Sequence, residues 1–515
     1  MRKFLKCFVP GFMAAALALW VGAAGAQDFL RKAGEALAAG HPAEAASFYQ
    51  QALSASPQDP SALFGLARAR MLEKKWSECS EVFSRFRLSY PDHPQAGKAL
   101  LYLTECEENA ADAVRPKKVI VPPVAAPPGE GGPLLAAQVL VWDAKSWEEL
   151  EKEMKALKAA GFSAVIFRVF SNPGDRLYPF AGPAKTPVGV YFQTKQAPVV
   201  SEILWRATQV AHRSGLAFYA WMTSRYADYG LDSKTSERWA DRTYDLSKKE
   251  IVQGKGLDIF SDEVIAHLEA LYSDLGNYPI DAVLFQDDLV SRHTDGFSEA
   301  AARAYAKKFG RPLDPSAFYQ DVYQPPDAPK PRVGKYTDAF WEWARWKNER
   351  LLDVAERLAG AVKKKRPEAK VAVNFMYEAA SSPKNSLAWL SQSISAAHRR
   401  KFDYYAVMAY HRQMMHELGL SVDEVAILLR RMSRSLYAGA HPFRALFKLQ
   451  IRDWETQEPV SKEEFSKMLE AIRKGAEGTG AAPNIAVVPY RGRKDLDRLS
   501  FDLHSSVERQ AAARE

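Results

Sequence analysis

The sequence predicts two folded parts, an N-terminal all-α solenoid and a (β/α)8 barrel of the TIM type. Three observations support this α/β assignment. A helical pattern repeats with a 34-residue period near the N-terminus, a Pro/Ala-rich stretch follows it, and eight apolar runs then alternate with amphipathic segments. Such alternation is typical of a parallel sheet covered by helices, and eight units favour a closed barrel over an open sheet.

The first residues have the features of an export signal. The basic start Met1–Lys6 precedes an apolar run, Phe12–Ala24, which ends in the small-residue pattern Ala24-Gly25-Ala26. We therefore predict a signal peptide over 1–26 and a periplasmic or secreted mature chain. The alternative is an N-terminal membrane anchor, but this run is short for a span and no later stretch is long enough.

Residues 27–110 are helical in pattern and repeat themselves. The segment Ser56–Pro60 recurs as Tyr90–Pro94, and apolar positions upstream of each match at the same offset of 34 residues. This period, with a proline closing each unit, resembles the tetratricopeptide repeat. Such repeats usually present a concave surface to a protein, so an envelope or secretion protein is the expected partner. A helical spacer without a partner is the alternative.

Two cysteines and a linker complete the N-terminal half. After signal cleavage only Cys79 and Cys106 remain; they could pair in an oxidising compartment or serve as two small buried side chains. Residues 111–133 are rich in Pro, Ala and Val. Because proline lacks an amide donor and favours extended backbone, this stretch is predicted to be a semi-rigid linker.

Residues 134–515 are assigned to the barrel. The predicted strands are Gln138–Trp142, Ala164–Phe170, Leu216–Trp221, Ala282–Phe285, Val371–Phe375, Tyr404–Ala409, Ala445–Leu449 and Ile485–Val488. The predicted helices between them include Ser146–Ala160, Val199–Ser214, Asp262–Gly276, Asp338–Lys365, Ser421–Leu436 and Ser461–Gly475. The strand candidates are almost continuously apolar, as buried strands are, and the apolar residues of the helix candidates recur with a period of 3.6 residues. Both patterns support the assignment.

Charge and motifs exclude several classes of function. The formal net charge of +8 falls to +5 when Arg2, Lys3 and Lys6 are removed with the signal, and it is spread along the chain, so nucleic acid is not an expected partner. We find no metal-ligand spacing, no serine nucleophile elbow and no phosphate-binding glycine loop in the sequence. We therefore expect neither a metal nor a cofactor.

The strongest candidate site is the stretch Pro279–Asp288, an apolar run that ends in the adjacent carboxylates Asp287 and Asp288. Barrel enzymes carry their catalytic groups at the C-terminal ends of the strands. The two residues could instead cap the following turn, since aspartate readily accepts hydrogen bonds from nearby amides.

The residues that follow the other predicted strands should share the same rim. They are Asp143, Arg168, Asn172, Trp221, Arg225, Asn374, Tyr377, Glu378, Tyr410, His411, Asp453, Trp454, Tyr490 and Arg491. Aromatic faces stack on sugar rings, polar groups bind hydroxyls, and a pair of acids can cleave a glycosidic bond. From this set we predict that Arg168, Asn172, Trp221, Asn374, Tyr377, Glu378, Tyr410, His411 and Trp454 bind substrate.

Five segments together resemble the C-terminal glycoside hydrolase domain of the PgaB family. They are Val169–Asp175, Tyr219–Met222, Phe285–Asp288, Trp343–Lys347 and Tyr405–Tyr410, and they occur in the family's order. The resemblance implies a barrel that cleaves partially deacetylated poly-β-1,6-N-acetylglucosamine within the chain.

The resemblance also indicates candidate catalytic residues. Asp287 and Asp288 match the family's paired aspartates, but Gln286 stands where the family usually has histidine. The acidic cluster that follows in the family is reduced here to Arg292–Asp295, which makes Asp295 the third candidate. Our leading hypothesis is an exported glycoside hydrolase that acts on an amino-sugar polymer during exopolysaccharide processing or export. The alternative is a non-catalytic polysaccharide-binding barrel that its repeats dock to a secretion machine.

Overall fold

The structure is a computed structural model that describes residues 25–114, 133–325, 330–438 and 444–499. The predicted signal sequence up to residue 24 and the linker from residue 115 to 132 lie outside the described residues. The chain divides into two compact units, one that contains the helical repeats together with Arg332–Lys335 and one that contains the rest of the barrel region.

The first unit is a series of helices. They are α1 over 25–38, α2 Pro42–Ala55, α3 Pro60–Leu72, α4 Trp76–Ser89 and α5 Ala96–Val114. Helices α2 and α4 begin and end 34 residues apart, so the structure has the period that the sequence predicts. Helix α5 continues to Val114, beyond the expected linker start at 111, because its composition stays helix-forming through Ala110–Asp112.

Small and aromatic side chains pack these helices together. Gly65 lies against the ring of Tyr49, where an added Cβ would come within 2.3 Å of ring carbons. Phe64 makes edge-on contacts with the buried Phe83 and Phe86. Cys79 and Cys106 form a disulfide between α4 and α5. The cysteines are buried and form a disulfide, so the first of the two alternatives, pairing, is correct.

The second unit is a closed barrel of eight parallel strands. They are β1 Leu135–Val139, β2 Ala164–Arg168, β3 Ala217–Met222, β4 Ala282–Phe285, β5 Lys370–Met376, β6 Tyr404–Ala409, β7 Ala445–Gln450 and β8 Asn484–Tyr490. Each strand pairs with the next in the chain, and β8 pairs with β1 to close the barrel. The predicted (β/α)8 fold is confirmed.

The prediction for the first strand was wrong by about three residues. The pairing of β1 with β8 begins at Leu135 and its register shifts between Ala137 and Val139, after which the chain leaves the sheet. Trp142, the predicted end of this strand, packs edge-on against Tyr490 instead. The apolar run is longer than the strand because it also supplies Trp142, a side chain that is buried outside the sheet.

Helices surround the barrel. They are α6 Trp147–Ala159, α7 Leu204–Arg213, α8 Ser233–Trp239, α9 Asp262–Leu275, α10 Glu299–Phe309, α11 Asp338–Lys363, α12 Glu378–Ser381, α13 Pro383–Leu390, α14 Ile394–Ala397, α15 His411–Leu418, α16 Val422–Tyr437 and α17 Lys462–Ala476, with short 3-10 turns at Pro179–Ala181 and Pro315–Ala317. Hydroxyl side chains cap the first turns of α6, α9, α10, α11, α16 and α17. These caps satisfy amides that have no partner inside the helix.

Helix α7 begins about five residues later than its amphipathic pattern predicts. Val199 pairs with Val190 in a β-bridge, and the Val200 amide donates to the Val190 carbonyl at 2.8 Å, so the segment before α7 is extended. Val190 itself belongs to a small two-stranded sheet, Phe170–Ser171 with Gly189–Val190. Tertiary pairing overrides the helical pattern here.

Two further hairpin elements interrupt the alternation of strands and helices. Ala240–Asp245 pairs with Glu250–Leu257 in the connection between β3 and β4, and Tyr319–Tyr323 pairs with Arg332–Tyr336 between β4 and β5. The first hairpin follows the C-terminal end of β3, on the side of the barrel where the site residues lie. Among the helices that the structure describes, none is long and apolar enough to cross a membrane.

Candidate active site

Asp287 lies at the mouth of the barrel, two residues beyond the end of β4. The preceding amide, that of Gln286, donates to the Met222 carbonyl at 2.9 Å, so the pairing with β3 extends just past the strand. Asp287 is partly exposed, whereas Asp288 is buried. The adjacent carboxylates therefore occupy different environments, and Asp287 is the one that solvent or a ligand can reach.

A buried lysine from the opposite side of the barrel shares this mouth with Asp287. Lys448, on β7, donates from Nζ to Asn374 Oδ1 at 3.1 Å. Its Nζ also lies 5.9 Å from the ring centre of Trp221 and 5.6 Å from that of Tyr410. Burial lowers the pKa of Lys448 to about 8, and the negative charge of Asp287 opposes that shift.

Several buried polar atoms near the ends of the barrel strands have no hydrogen-bond partner among the described residues. They include the donors Trp221 Nε1 and Asn374 Nδ2 and the acceptor Gln286 Oε1. Buried polar groups are almost always hydrogen-bonded in folded proteins, and exceptions concentrate where a ligand or water binds. Free donors and acceptors around a carboxylate are what a sugar hydroxyl or amide requires.

Asp288 is held by the loop that follows β3. Its Oδ2 accepts hydrogen bonds from Thr223 Oγ1 at 2.7 Å and from the amides of Ser224 and Tyr226 at 2.8 and 2.9 Å. Its Oδ1 accepts a further bond from Ser224 Oγ at 2.8 Å. Burial raises the pKa of Asp288, and these hydrogen bonds oppose the rise. Asp288 thus joins the ends of β3 and β4 and fixes the backbone beside Asp287.

Asp295 belongs to a different group of charges. Its Oδ1 accepts from Thr243 Oγ1 at 2.8 Å and its Oδ2 from the Arg292 amide at 3.0 Å, which ties the loop after β4 to the hairpin after β3. Burial favours the neutral acid, but the charges of Arg225 and Lys347 outweigh it, so the pKa of Asp295 lies below its usual value. Asp295 is therefore held ionised.

A buried ion pair and a buried lysine complete this second group. Arg225 Nη2 contacts Asp241 Oδ2 at 2.8 Å, and both side chains are almost fully buried. Lys347 donates from Nζ to the backbone carbonyls of Arg292 and Asp295, at 2.5 and 3.0 Å. Because each charge has a partner here, the group stabilises the loop conformation around Asp295.

The predicted sugar-binding residues separate into two sets. Trp221, Asn374 and Tyr410 surround Lys448 at the mouth, and Trp454 packs edge-on against Tyr410 with ring centres 5.4 Å apart. The structure therefore brings these four aromatic and amide side chains together, as the sequence predicts.

The remaining predicted residues are bound to other parts of the protein. Arg168 forms an ion pair with Asp175 at 2.9 Å, and Asn172 accepts from the Tyr229 hydroxyl at 2.8 Å. The Tyr377 hydroxyl donates to Glu417 at 2.9 Å, and Glu378 begins α12. His411, fully buried, contacts Glu464 of α17 through Nε2 at 2.9 Å, so it joins two helices.

Of four other rim residues, three have local polar partners. Asp143 pairs with Arg176 at 3.1 Å, and Asp453 accepts from the amides of Glu455 and Thr456 at 2.8 and 3.0 Å, closing a turn. Arg491 donates to Gln457, whereas the buried hydroxyl of Tyr490 has no partner among the described residues. Strand-end position alone thus does not make a residue part of the site.

Lys448 is the residue of this site that we did not select from the sequence. A signal was present, because a lysine interrupts the apolar strand Ala445–Gln450, and this strand is buried at every position. A charged residue in such a strand is rarely buried without a partner.

A large cavity lies elsewhere. It measures about 850 Å³ and lies on the outer layer of helices, where residues of α10 and α11 such as Lys307, Phe309 and Trp346 line it. Its lining includes no strand-end residue. We therefore place the site by its chemistry at the mouth rather than by cavity size.

Comparisons with known proteins agree with this fold. Residues 148–480 match the sequence model of hypothetical glycosyl hydrolase family 13, and residues 36–101 match a tetratricopeptide repeat. No curated protein matches the sequence significantly.

Solved structures similar to this chain include the PgaB (BpsB) glycoside hydrolase domain from Bordetella bronchiseptica. The identity is 21%, the TM-score is 0.55, and the match covers 70% of this chain and 94% of that one. The catalytic domain of a β-amylase from Paenibacillus polymyxa is also similar, at 13% identity and a TM-score of 0.46, over 73% of this chain and 99% of that one. The first of these likenesses supports the barrel fold. Because the family match spans most of the chain, this protein belongs to hypothetical glycosyl hydrolase family 13 and is a glycoside hydrolase with N-terminal tetratricopeptide repeats.

Proposed function

We propose that this protein is an exported hydrolase that cleaves an amino-sugar polysaccharide, with partially deacetylated poly-β-1,6-N-acetylglucosamine as its substrate. The observation that carries the proposal is the barrel mouth, where the charge of the partly exposed Asp287 acts on the buried Lys448 and Tyr410. The ring centres of Trp221 and Tyr410 lie within 6 Å of Lys448 Nζ, and Trp221 Nε1 and Asn374 Nδ2 have no partner among the described residues. Similarity to the PgaB glycoside hydrolase domain and the family-like sequence around Asp287 support this choice of glycan.

Within the proposal, the three aspartates have different roles. Asp287 acts on the glycosidic bond, because it is partly exposed and, unlike Asp288 and Asp295, accepts no hydrogen bond from the described residues. Asp288 positions the loop beside it. Asp295 is a poor general acid because a general acid must hold a proton at working pH, and Arg225 and Lys347 lower the pKa of Asp295.

The rest of the mouth binds the sugar. Trp221 and Tyr410 offer ring faces and edges for stacking, and Trp221 Nε1 and Asn374 Nδ2 are free to donate to hydroxyl or acetamido oxygens. Aromatic surfaces with a few placed hydrogen-bonding groups are typical of saccharide sites.

The test is to incubate the full mature chain with partially deacetylated poly-β-1,6-N-acetylglucosamine and to measure soluble oligosaccharides by mass spectrometry. We expect products from the unmodified protein and a loss of turnover of about 100-fold or more in Asp287→Asn, with glycan binding largely retained. Asp143→Asn, which alters an exposed rim carboxylate, serves as the matched control and should keep its turnover. If the unmodified protein releases no products, this substrate is wrong.

We also propose that the protein works outside the cytoplasm and meets an envelope protein through its repeats. The signal-like N-terminus and the Cys79–Cys106 disulfide both support export, because structural disulfides persist mainly in oxidising compartments. Fractionation of cells that express the tagged chain tests the location, and crosslinking in those cells tests the partner. Recovery of the tagged chain in the cytoplasm would contradict the proposal.

A further inference from the structure

We propose that the groove between α10 and α11 is a second carbohydrate-binding site, one that takes an acidic polysaccharide whose sugars carry carboxylate groups. The groove is the cavity of about 850 Å³ on the outer layer of helices, and its lining includes no residue of the barrel mouth. The proposal goes beyond the hydrolase function, because it concerns a different site and a ligand whose charge is opposite to that of a deacetylated amino-sugar polymer.

Two helix faces form the groove. Its lining residues run from Ala300 to Lys308 on α10 and from Glu342 to Asp353 on α11, and in each helix they recur at spacings of three and four residues. Residues at these spacings lie on one face of a helix, so each helix contributes a continuous wall. The wall from α11 is about 16 Å long at 1.5 Å per residue, which is enough for several sugar units.

The apolar surface of the groove is mostly aromatic. The rings of Phe260 and Phe309 flank that of Trp346, with their centres 5.0 and 5.8 Å from it, and Phe309 and Trp346 are partly exposed. Two alanines complete the apolar lining, which includes no Leu, Ile, Val or Met from the described residues. Aromatic rings suit the face of a sugar, whereas an amphipathic peptide helix requires a broadly hydrophobic groove. The lining therefore favours a carbohydrate.

Most acids of the groove are already paired. Glu342 forms an ion pair with Arg311, and Glu349 and Asp353 both pair with Arg400; neither arginine belongs to the lining. The fourth acid of the lining, in the first turn of α9, is the only one of the four that makes no ion pair with a described residue. The carboxylates of the groove thus leave little negative charge to repel an anion.

The cations of the groove differ from its acids in this respect. Lys307, Lys308 and Arg345 are exposed at the groove and make no ion pair with any residue that the structure describes. Exposed cations attract anions, and an arginine can bind a carboxylate through two parallel hydrogen bonds. A protonated amino sugar has the same charge as these side chains and would be repelled. The groove therefore fits a uronic acid, which offers both a ring face and a carboxylate.

Isothermal titration calorimetry of the full chain tests the proposal, with hexagalacturonate as the probe. The fully methyl-esterified hexamer has the same sugar rings without the charge. A hexaglutamate peptide with blocked ends has the same number of carboxylates without the rings. We expect the dissociation constant of hexagalacturonate to be at least about tenfold lower than that of either control ligand, and to rise with salt concentration.

Two lysine pairs show whether the groove holds the probe. Lys307→Gln combined with Lys308→Gln removes two charges from the rim, so we expect hexagalacturonate to bind about fivefold more weakly. Lys364→Gln combined with Lys365→Gln is the matched control, because these are adjacent exposed lysines just beyond the C-terminal end of α11. The control pair should leave the dissociation constant within about twofold.

A tryptophan substitution tests the stacking surface. Trp346→Ala removes the ring at the centre of the aromatic floor and should weaken binding of hexagalacturonate about tenfold. Trp205→Ala, which removes a tryptophan that is 52% exposed on α7, is its control and should leave binding within about twofold. If Trp346→Ala does not fold by circular dichroism, Arg345→Gln at the exposed rim is judged in its place.

Each outcome decides the proposal. If hexagalacturonate binds no more tightly than its methyl ester, or if either groove variant keeps the dissociation constant within about twofold, the groove is not a site for acidic polysaccharide. If hexaglutamate binds as tightly as hexagalacturonate, the groove takes an acidic peptide and the carbohydrate assignment is wrong.

Discussion

At the scale of single residues, neighbouring aspartates have opposite surroundings. Asp287 is partly exposed at the mouth, whereas Asp288 accepts four hydrogen bonds from the loop after β3. The difference arises because the chain turns as β4 ends, so that successive side chains point to different sides of the barrel wall. Under the proposed function, Asp287 would take part in the chemistry and Asp288 would support the backbone beside it.

Substitutions of Asp288 should expose its supporting role. Asp288→Ala leaves two amides and two hydroxyls without their acceptor, and we expect the free energy of unfolding of the barrel to fall by about 2–4 kcal/mol. Asp288→Asn keeps one oxygen that can accept from the two amides, so its free energy of unfolding should fall by less than half as much as that of Asp288→Ala. Thermal unfolding followed by circular dichroism measures both. An equal fall in the free energy of unfolding of the two variants would contradict the supporting role of Asp288.

The pH dependence of stability should report the buried charge of Lys448. Its pKa is about 8 in the folded protein and 10.5 when unperturbed. Between these values the unfolded chain binds more protons, so the contribution of Lys448 to stability rises with pH; below pH 8 its charge costs about 3 kcal/mol. Lys448→Met should therefore be more stable than the unmodified protein at neutral pH, by an amount that shrinks as the pH approaches 10.

The measurement is the difference between the unfolding midpoints of the two proteins at several pH values. Comparing the difference removes the titration of groups that both proteins share. A difference that does not change between pH 7 and pH 10 would show that folding does not lower the pKa of Lys448.

At the scale of elements, the connection after β3 supports the site. The hairpin Ala240–Asp245 and Glu250–Leu257 is bound through Thr243 to Asp295 on the loop after β4. Within the connection after β3, the buried Arg225–Asp241 ion pair binds the hairpin to the segment that follows the strand. These contacts fix the position of Asp295 relative to the hairpin.

The disulfide should stabilise the helical repeats and nothing in the barrel. It closes a loop across 27 residues between α4 and α5, so the variant with Cys79→Ala and Cys106→Ala should lose about 3 kcal/mol in the unfolding of the repeats. Reductant should lower the unfolding midpoint of the unmodified repeats and leave that of the variant unchanged. If reductant lowered the unfolding midpoint of the unmodified protein and of the variant equally, the disulfide would not be what stabilises the repeats.

At the scale of the whole molecule, we expect the barrel unit to carry out the chemistry and the repeat unit to bind the partner. Every residue that we place at the mouth belongs to the barrel unit. We therefore expect a shortened chain that begins at Pro133 to fold and to cleave soluble oligosaccharides at a rate within about twofold of the mature chain, but to lose its envelope partner.

The comparison uses the same soluble substrate for both chains, with crosslinking in cells as the second readout. A large fall in rate, with the barrel still folded by circular dichroism, would show that the repeats contribute to the site. Retention of the partner by the shortened chain would show that the barrel holds the docking surface.

The sequence by itself determined the architecture. Eight apolar runs and the 34-residue period are local patterns, and each depends on residues close together in the chain, so the barrel strands and the helix pairs could be predicted to within a few residues. It also predicted Asp287, Trp221, Asn374, Tyr410 and Trp454 as site residues, because strand ends of a barrel meet at one rim.

Only the tertiary structure decided how these residues divide their work. Side-chain direction at a strand end changes with a single residue, so the sequence could not distinguish Asp287 from Asp288. Asn374 and Lys448 are 74 positions apart in the chain, and no local pattern places Lys448 between Trp221 and Tyr410. The charge of that lysine is set by burial and by Asp287 across the barrel, and both arise only when the barrel closes.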